Sequence, residues 1–146
     1  VQGEVFNMKK ILLPVDGSER SLKAVEFIRK LYDPSEVEIA LVTVKEDYES
    51  FIRTEFEPDK VTAESMPMLD EVAKHLDGYK IFDKKVLIGK FAGGEILDYA
   101  NLNKVYAIVM TKSTKPGHQN IIGSVTANVV KKARCVVIIT PEESEE

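Results

Sequence analysis

At 146 residues, with 44% hydrophobic and 30% charged residues, the chain has the size and balance of one globular domain with a substantial core. Its formal net charge of −4 argues against a nucleic-acid partner, whose phosphates demand a basic face. No stretch reaches the length of a membrane span and residues 1–7 (VQGEVFN) lack the layout of a signal peptide, so no membrane partner and a cytoplasmic protein are expected.

Residues 1–7 read as a leader or remnant ahead of Met8, residues 8–141 as one domain, and residues 142–146 as a solvated acidic tail. The single cysteine, Cys135, rules out an internal disulfide and a multi-cysteine metal site, and in the run CVVII it reads as a small buried hydrophobe.

Residues 10–15, KILLPV, form a continuous apolar run suited to a strand covered on both faces. Pro14 lacks a ladder donor, so pairing should stop there. Asp16-Gly17-Ser18 is turn chemistry, and either Asp16 or Ser18 can cap the next helix. From Ser18 to Tyr32, the residues Leu22, Val25, Ile28, Leu31 and Tyr32 recur at helical spacing, and Asp33-Pro34 ends the segment.

Residues 37–44, VEIALVTV, have the β-branched content of a second strand, and the acidic, aperiodic stretch 46–59 reads as a long loop. A second helix spans about 59–76, with Met68, Leu69, Val72, Ala73 and Leu76 inward and Pro67 predicting a kink or a late start. A third strand covers 85–88, with a start as early as Ile81, and a short helix follows at 92–100. Residues 105–110 form a fourth strand, 124–133 a helix with Val125, Val129 and Val130 inward, and 135–139 a fifth strand.

This alternation predicts an α/β fold: an open five-stranded parallel sheet in the order 3-2-1-4-5, with helices on both faces. Ligands of such sheets bind beyond the carboxyl ends of the strands, where the strand order reverses. Two loops should meet there, one at 14–17 and one at 110–124. The second belongs to MTKSTKPGHQNIIGSVT, residues 110–126, a strand, loop and helix N-terminus of the kind that holds anions on free N–H groups.

Three separated segments resemble the universal stress protein family: KKILLPVDGSERSLKAVEF, GKFAGGEILDYA, and AIVM followed by GSVTANVVKKARCVVIITP. The family divides into members that bind ATP and members that do not, and the ATP pattern is Gly-x2-Gly-x9-Gly-Ser/Thr after the fourth strand. Here Gly123-Ser124 is intact, followed by Val125 and Thr126. The two leading glycine positions fall on Thr111 and Thr114, and eight residues separate Thr114 from Gly123. Aligning Gly117 as a leading glycine leaves five residues before Gly123, a worse fit.

The resemblance therefore implies a degenerate nucleotide loop. Threonine forced into the left-handed region costs about 1–3 kcal/mol, or roughly ten- to a hundredfold in affinity. Against this, threonine hydroxyls can donate to phosphate, and Lys112, Lys115 and His118 add charge beside the loop. By resemblance, adenosine would lie against Pro14, Val15 and Asp16 with Val42 and Thr43 near the base. The phosphates would meet Met110, Thr111, Thr114, Gly123, Ser124, Val125 and Thr126. Asp16 reads equally as a helix cap, Ser124 and Thr126 as caps of the last helix, and Lys112 and Lys115 as solvated loop residues.

No residues assemble a catalytic set: neither His75 nor His118 lies in a nucleophile motif, and no Walker-type loop occurs. No cofactor is fixed by the residues; the candidate is ATP or another adenine nucleotide with Mg²⁺. The expected role is stress-response regulation without turnover, the alternative an ATP-binding switch or slow ATPase. The apolar last strand, Val136, Val137, Ile138 and Ile139, lies at a sheet edge, and the resemblance implies a homodimer seam there.

Overall fold

The protein is described here by a computed structural model covering residues 8–46, 58–112 and 123–141. The elements run β1 (Lys9–Pro14), α1 (Glu19–Leu31), β2 (Val37–Glu46), α2 (Pro58–Lys74), β3 (Lys80–Gly89), α3 (Ala92–Leu102), β4 (Ala107–Thr111), α4 (Ser124–Lys132) and β5 (Val136–Thr140). All strand pairs are parallel and the order is β3-β2-β1-β4-β5, as expected.

Alternation along the central strands divides the interior in two. Ile11 and Leu13 of β1, Ile39 and Leu41 of β2 and Val109 of β4 face a core closed by Val25 and Ile28 of α1 and Leu69 and Val72 of α2. Leu12, Ala40, Val42, Ile108 and Met110 point the other way, onto Ile96, Leu97 and Ala100 of α3 and Val129 of α4. With helices on both faces, the middle strands must be apolar on every residue, which explains the unbroken run ILL.

Helix α1 starts at the N-cap Ser18, whose hydroxyl accepts from the Ser21 N–H, and stops at Tyr32 ahead of Asp33-Pro34. The Arg29 guanidinium donates to the carbonyls of His75 and Asp77 just past α2. A cation there meets the negative end of the helix dipole and ties α1 to α2.

Several elements depart from expectation. Strand β3 starts at Lys80, next to the early start at Ile81 that the sequence allowed and before its 85–88 core, because as an edge strand it tolerates exposed Lys84 and Lys85 that interrupt the apolar pattern. Its register shifts between Ile39 and Ala40, whose partners are Ile81 and Asp83, so Phe82 is an extra, bulged residue. Helix α2 is continuous across Pro67 rather than starting after it. Leu31 (46% exposed) and Val130 (48% exposed) face solvent instead of the core, since each stands at the rim of its helix's buried stripe. Strand β2 reaches Glu46 and α2 begins at Pro58, both within the 46–59 stretch read as a loop, of which residues 47–57 lie outside the described residues.

Candidate functional site

Strand β1 lies between β2 and β4, and the chain turns back across the sheet to reach β4, so the strand order reverses between β1 and β4. Ile11 pairs with Ala107 and Leu12 with Ile108. The segments that leave β1 and β4 therefore emerge side by side at the carboxyl edge.

On the β1 side, the Val15 N–H donates to the Val42 carbonyl at 2.8 Å, one step beyond the donorless Pro14. Asp16 is exposed, yet its N–H and Oδ1 are committed. Its Oδ1 accepts from the Ser18 N–H at 2.9 Å and from the Ser21 hydroxyl at 2.7 Å, while its own N–H donates to Ser21 Oγ at 3.0 Å. Burial works to raise the Asp16 pKa, but the hydrogen bonds from Ser18 and Ser21 outweigh it and hold the carboxyl below its ordinary value. Gly17 is fixed in the left-handed region, φ 81°, and a Cβ there would come within 2.9 Å of Met68 Cγ on α2. Asp16 and Ser18 thus divide the capping role: Ser18 caps α1 and Asp16 braces the turn.

On the β4 side, Thr111 is the last residue of the strand and has no positive φ; among the described residues Lys104 alone of the non-glycines does. The backbone strain expected at Thr111 is therefore absent, because the strand continues one residue past its sequence-read end at Met110. The Thr126 hydroxyl donates to the Thr111 carbonyl at 2.8 Å, and the Thr140 hydroxyl to the Met110 carbonyl at 3.3 Å. The Gly123 N–H donates to the Lys112 carbonyl at 2.6 Å, pinching the base of the loop.

Gly123 is the N-cap of α4 and supplies no side-chain cap; Ser124 is the first helical residue and is exposed. The capping roles considered for Ser124 and Thr126 do not hold: Ser124 follows the cap, and Thr126 binds back to β4. Donors of a first helical turn have no acceptor inside the helix, so the N–H groups of Ser124, Val125 and Thr126 point towards the carboxyl edge.

Val42 and Thr43 are fully enclosed, Val42 in the α3–α4 core, so any part they play at a ligand is through backbone. Thr114, Lys115 and His118 lie outside the described residues. Sequence reasoning missed Ser21 and Glu46. The Ser-x-x-Ser spacing of 18 and 21 was a legible signal for the first. Glu46 Oε1 accepts from the Ala92 N–H at 3.1 Å, supplying α3 with the cap that its N-cap residue Phe91 lacks. Nothing local announces that pairing.

Among the described residues no three His, Cys, Asp or Glu side chains cluster as a metal site, and no helix is long and apolar enough to cross a membrane.

The open, doubly wound α/β sheet, with a braced β1–α1 turn and the N-terminus of α4 at the ends of neighbouring strands, defines a class of domain whose ligand sites, where present, lie at the strand ends. The chain belongs to the universal stress protein family, whose sequence model matches residues 7–141. It is 26% identical over 145 residues to Universal stress protein MJ0531 of Methanocaldococcus jannaschii, covering 94% of this chain and 85% of that protein. The solved structure of the protein MJ0577 superimposes with a TM-score of 0.78 at 29% identity, covering 94% of this chain and 98% of that one. The universal stress protein of Archaeoglobus fulgidus, solved in complex with dAMP, shares the fold with a TM-score of 0.67 at 18% identity, covering 92% and 98%.

Proposed function

We propose that the chain binds an adenine nucleotide at the carboxyl edge between β1 and β4 and acts in stress-response regulation through that binding, without turnover. The observation that carries this reading is that Asp16, held by Ser18 and Ser21, leaves the end of β1 while the Gly123–Thr126 turn follows the adjacent β4, on either side of the reversal. The nucleoside end would lie against Pro14, Val15 and Asp16, and the phosphate on the N–H groups of Ser124 and Val125, where the helix dipole favours an anion. The dAMP held by the Archaeoglobus relative supports an adenine nucleotide as the ligand class. Any Mg²⁺ would arrive on the phosphates, since such ions keep most of their contacts to phosphate and water.

We further read the protein as a cytoplasmic homodimer paired through β5. The two sheet edges differ: β3 carries Lys80 and Lys84, paired with Glu38 and Asp70, whereas β5 reads VVIIT. Lysines guard an edge against pairing, and β5 has none.

Calorimetric titration of the purified protein with AMP, dAMP and ATP, with and without Mg²⁺, tests the main reading. Binding of AMP or dAMP is the expected result, and no heat or displacement with any of the three overturns it. A second reading, an ATP-dependent switch or slow ATPase, draws support from Thr111, whose extended backbone removes one penalty against a triphosphate. Phosphate release that is lost in Ser124→Ala would favour it.

A further inference from the structure

Ser21 is buried in the first turn of α1, and its hydroxyl proton is spent on Asp16 Oδ1 at 2.7 Å. A hydroxyl has one proton, so Ser21 does not donate at its 3.5 Å contact with Ser18 Oγ. It accepts from the Asp16 N–H. One side chain therefore grips both the backbone and the carboxylate of the same residue. Oδ1, with the Ser18 N–H and the Ser21 hydroxyl on it, has both of its lone-pair directions filled. The Ser18 hydroxyl supplies one further hydrogen bond to the carboxyl, and the acceptor capacity that remains lies on Oδ2.

We propose that Ser21 is a positioning residue of this site: by fixing Oδ1 and the N–H of Asp16 it leaves the acceptor capacity of Oδ2 for a ligand, selecting one whose nucleoside end carries a hydrogen-bond donor. The inference rests on the reading of Asp16 as a ligand contact. An ionised carboxylate oxygen accepts only, and a held one loses no rotamer freedom on binding, so a donor-bearing ligand gains most. The donor is a sugar hydroxyl or an exocyclic amine.

The test measures AMP affinity by calorimetry for wild type, Ser21→Ala, Ser21→Thr, Asp16→Asn and the double variant Asp16→Asn with Ser21→Ala. Ser21→Ala is expected to weaken binding about tenfold, Ser21→Thr to keep most of the affinity because the hydroxyl remains, and Ser21→Ala to add little once Asp16 is Asn. If Asp16→Asn weakens AMP but Ser21→Ala does not, the inference falls while the site stands. Equal losses from Ser21→Ala in both backgrounds also overturn it, since the serine would then act as scaffold alone. If Asp16→Asn binds AMP like wild type, the reading of Asp16 itself fails.

Inosine monophosphate and a dideoxy adenine nucleotide separate the two donors in the wild-type protein. Loss with the first assigns the amine, loss with the second assigns the sugar, and no loss with either overturns the donor requirement. Should Ser21→Ala not fold, Ser21→Cys keeps the shape with a weak donor, and an unchanged affinity there overturns the proposal.

Discussion

The hydroxyl of Thr126 reaches 15 residues back along the chain to donate a 2.8 Å hydrogen bond to the carbonyl of Thr111, fastening the first turn of α4 to the last residue of β4. Both ends of the Gly123–Thr126 turn are thereby held, since Gly123 is bound to Lys112 as well. Thr126→Val keeps the shape and removes the donor. It should cost about 1–2 kcal/mol in stability, read by urea denaturation, and should weaken nucleotide binding because the donors proposed to hold the phosphate lose their anchor.

Thr111→Gly separates two views of the degenerate loop. If threonine were strained in place of glycine, the change would improve affinity. Because Thr111 is an ordinary strand residue, glycine there should leave nucleotide affinity unimproved and lower stability by about 0.5–1 kcal/mol through backbone entropy. Calorimetry and thermal melting on the same variant read both effects.

The Asp16 network predicts a pH dependence with a definite sign. The carboxyl is held below its unfolded value of 3.8, so the folded state binds fewer protons than the unfolded state in that interval. Its stabilisation is complete above pH 3.8 and is lost as the pH falls through the lower folded value. Asp16→Asn should abolish this component, narrowing the difference between wild type and variant in urea melts as the solution is acidified below pH 3.8. A difference that stays constant from neutral to strongly acid pH would contradict the assignment.

Tyr99, buried in α3, donates to Asp83 Oδ2 at 2.6 Å on the bulged strand β3. Burial first, then the hydrogen bond and charge of Asp83, push the tyrosine pKa up. Tyr99→Phe should cost about 1–3 kcal/mol by leaving a half-buried carboxylate without its donor. In spectrophotometric titration, the variant should lack the last tyrosine to ionise.

The β5 edge offers the test of assembly. Val136 is 46% exposed at the start of the strand. Val136→Lys places on this edge the kind of charge that β3 already carries, and in sedimentation velocity it should shift a dimer towards monomer without lowering the melting temperature of the fold. A wild-type protein that sediments as a monomer at all concentrations would remove the dimer from the reading.

Much of this molecule was legible in one dimension. Unbroken apolar runs announced β1, β2 and β4, the helical recurrence of Val25 and Ile28 announced α1, and strict alternation of the two patterns led to the parallel sheet and its order. These features depend on burial, which the period of apolar residues records directly. The Gly123-Ser124 corner was visible for the same local reason, as a break between a strand and an amphipathic helix.

What the tertiary structure alone decided is which partners meet. Ser21 was read past because a serine among helical residues carries no periodic signal, yet the folded turn brings its hydroxyl onto both the N–H and the carboxylate of Asp16. Glu46 caps α3 from 46 residues away, and the choice between the early and the late start of β3 was left open by charges that an edge strand can leave in water. Thr111 was judged by the residue type a motif prefers, whereas its backbone is set by how far β5 extends the ladder, up to the Thr111–Thr140 pair. Hydrogen-bond partners and backbone angles at strand ends are fixed by neighbours distant in the chain, so composition and spacing determined the frame and pointed to the candidate site, and only the packed sheet decided which of its atoms are already engaged.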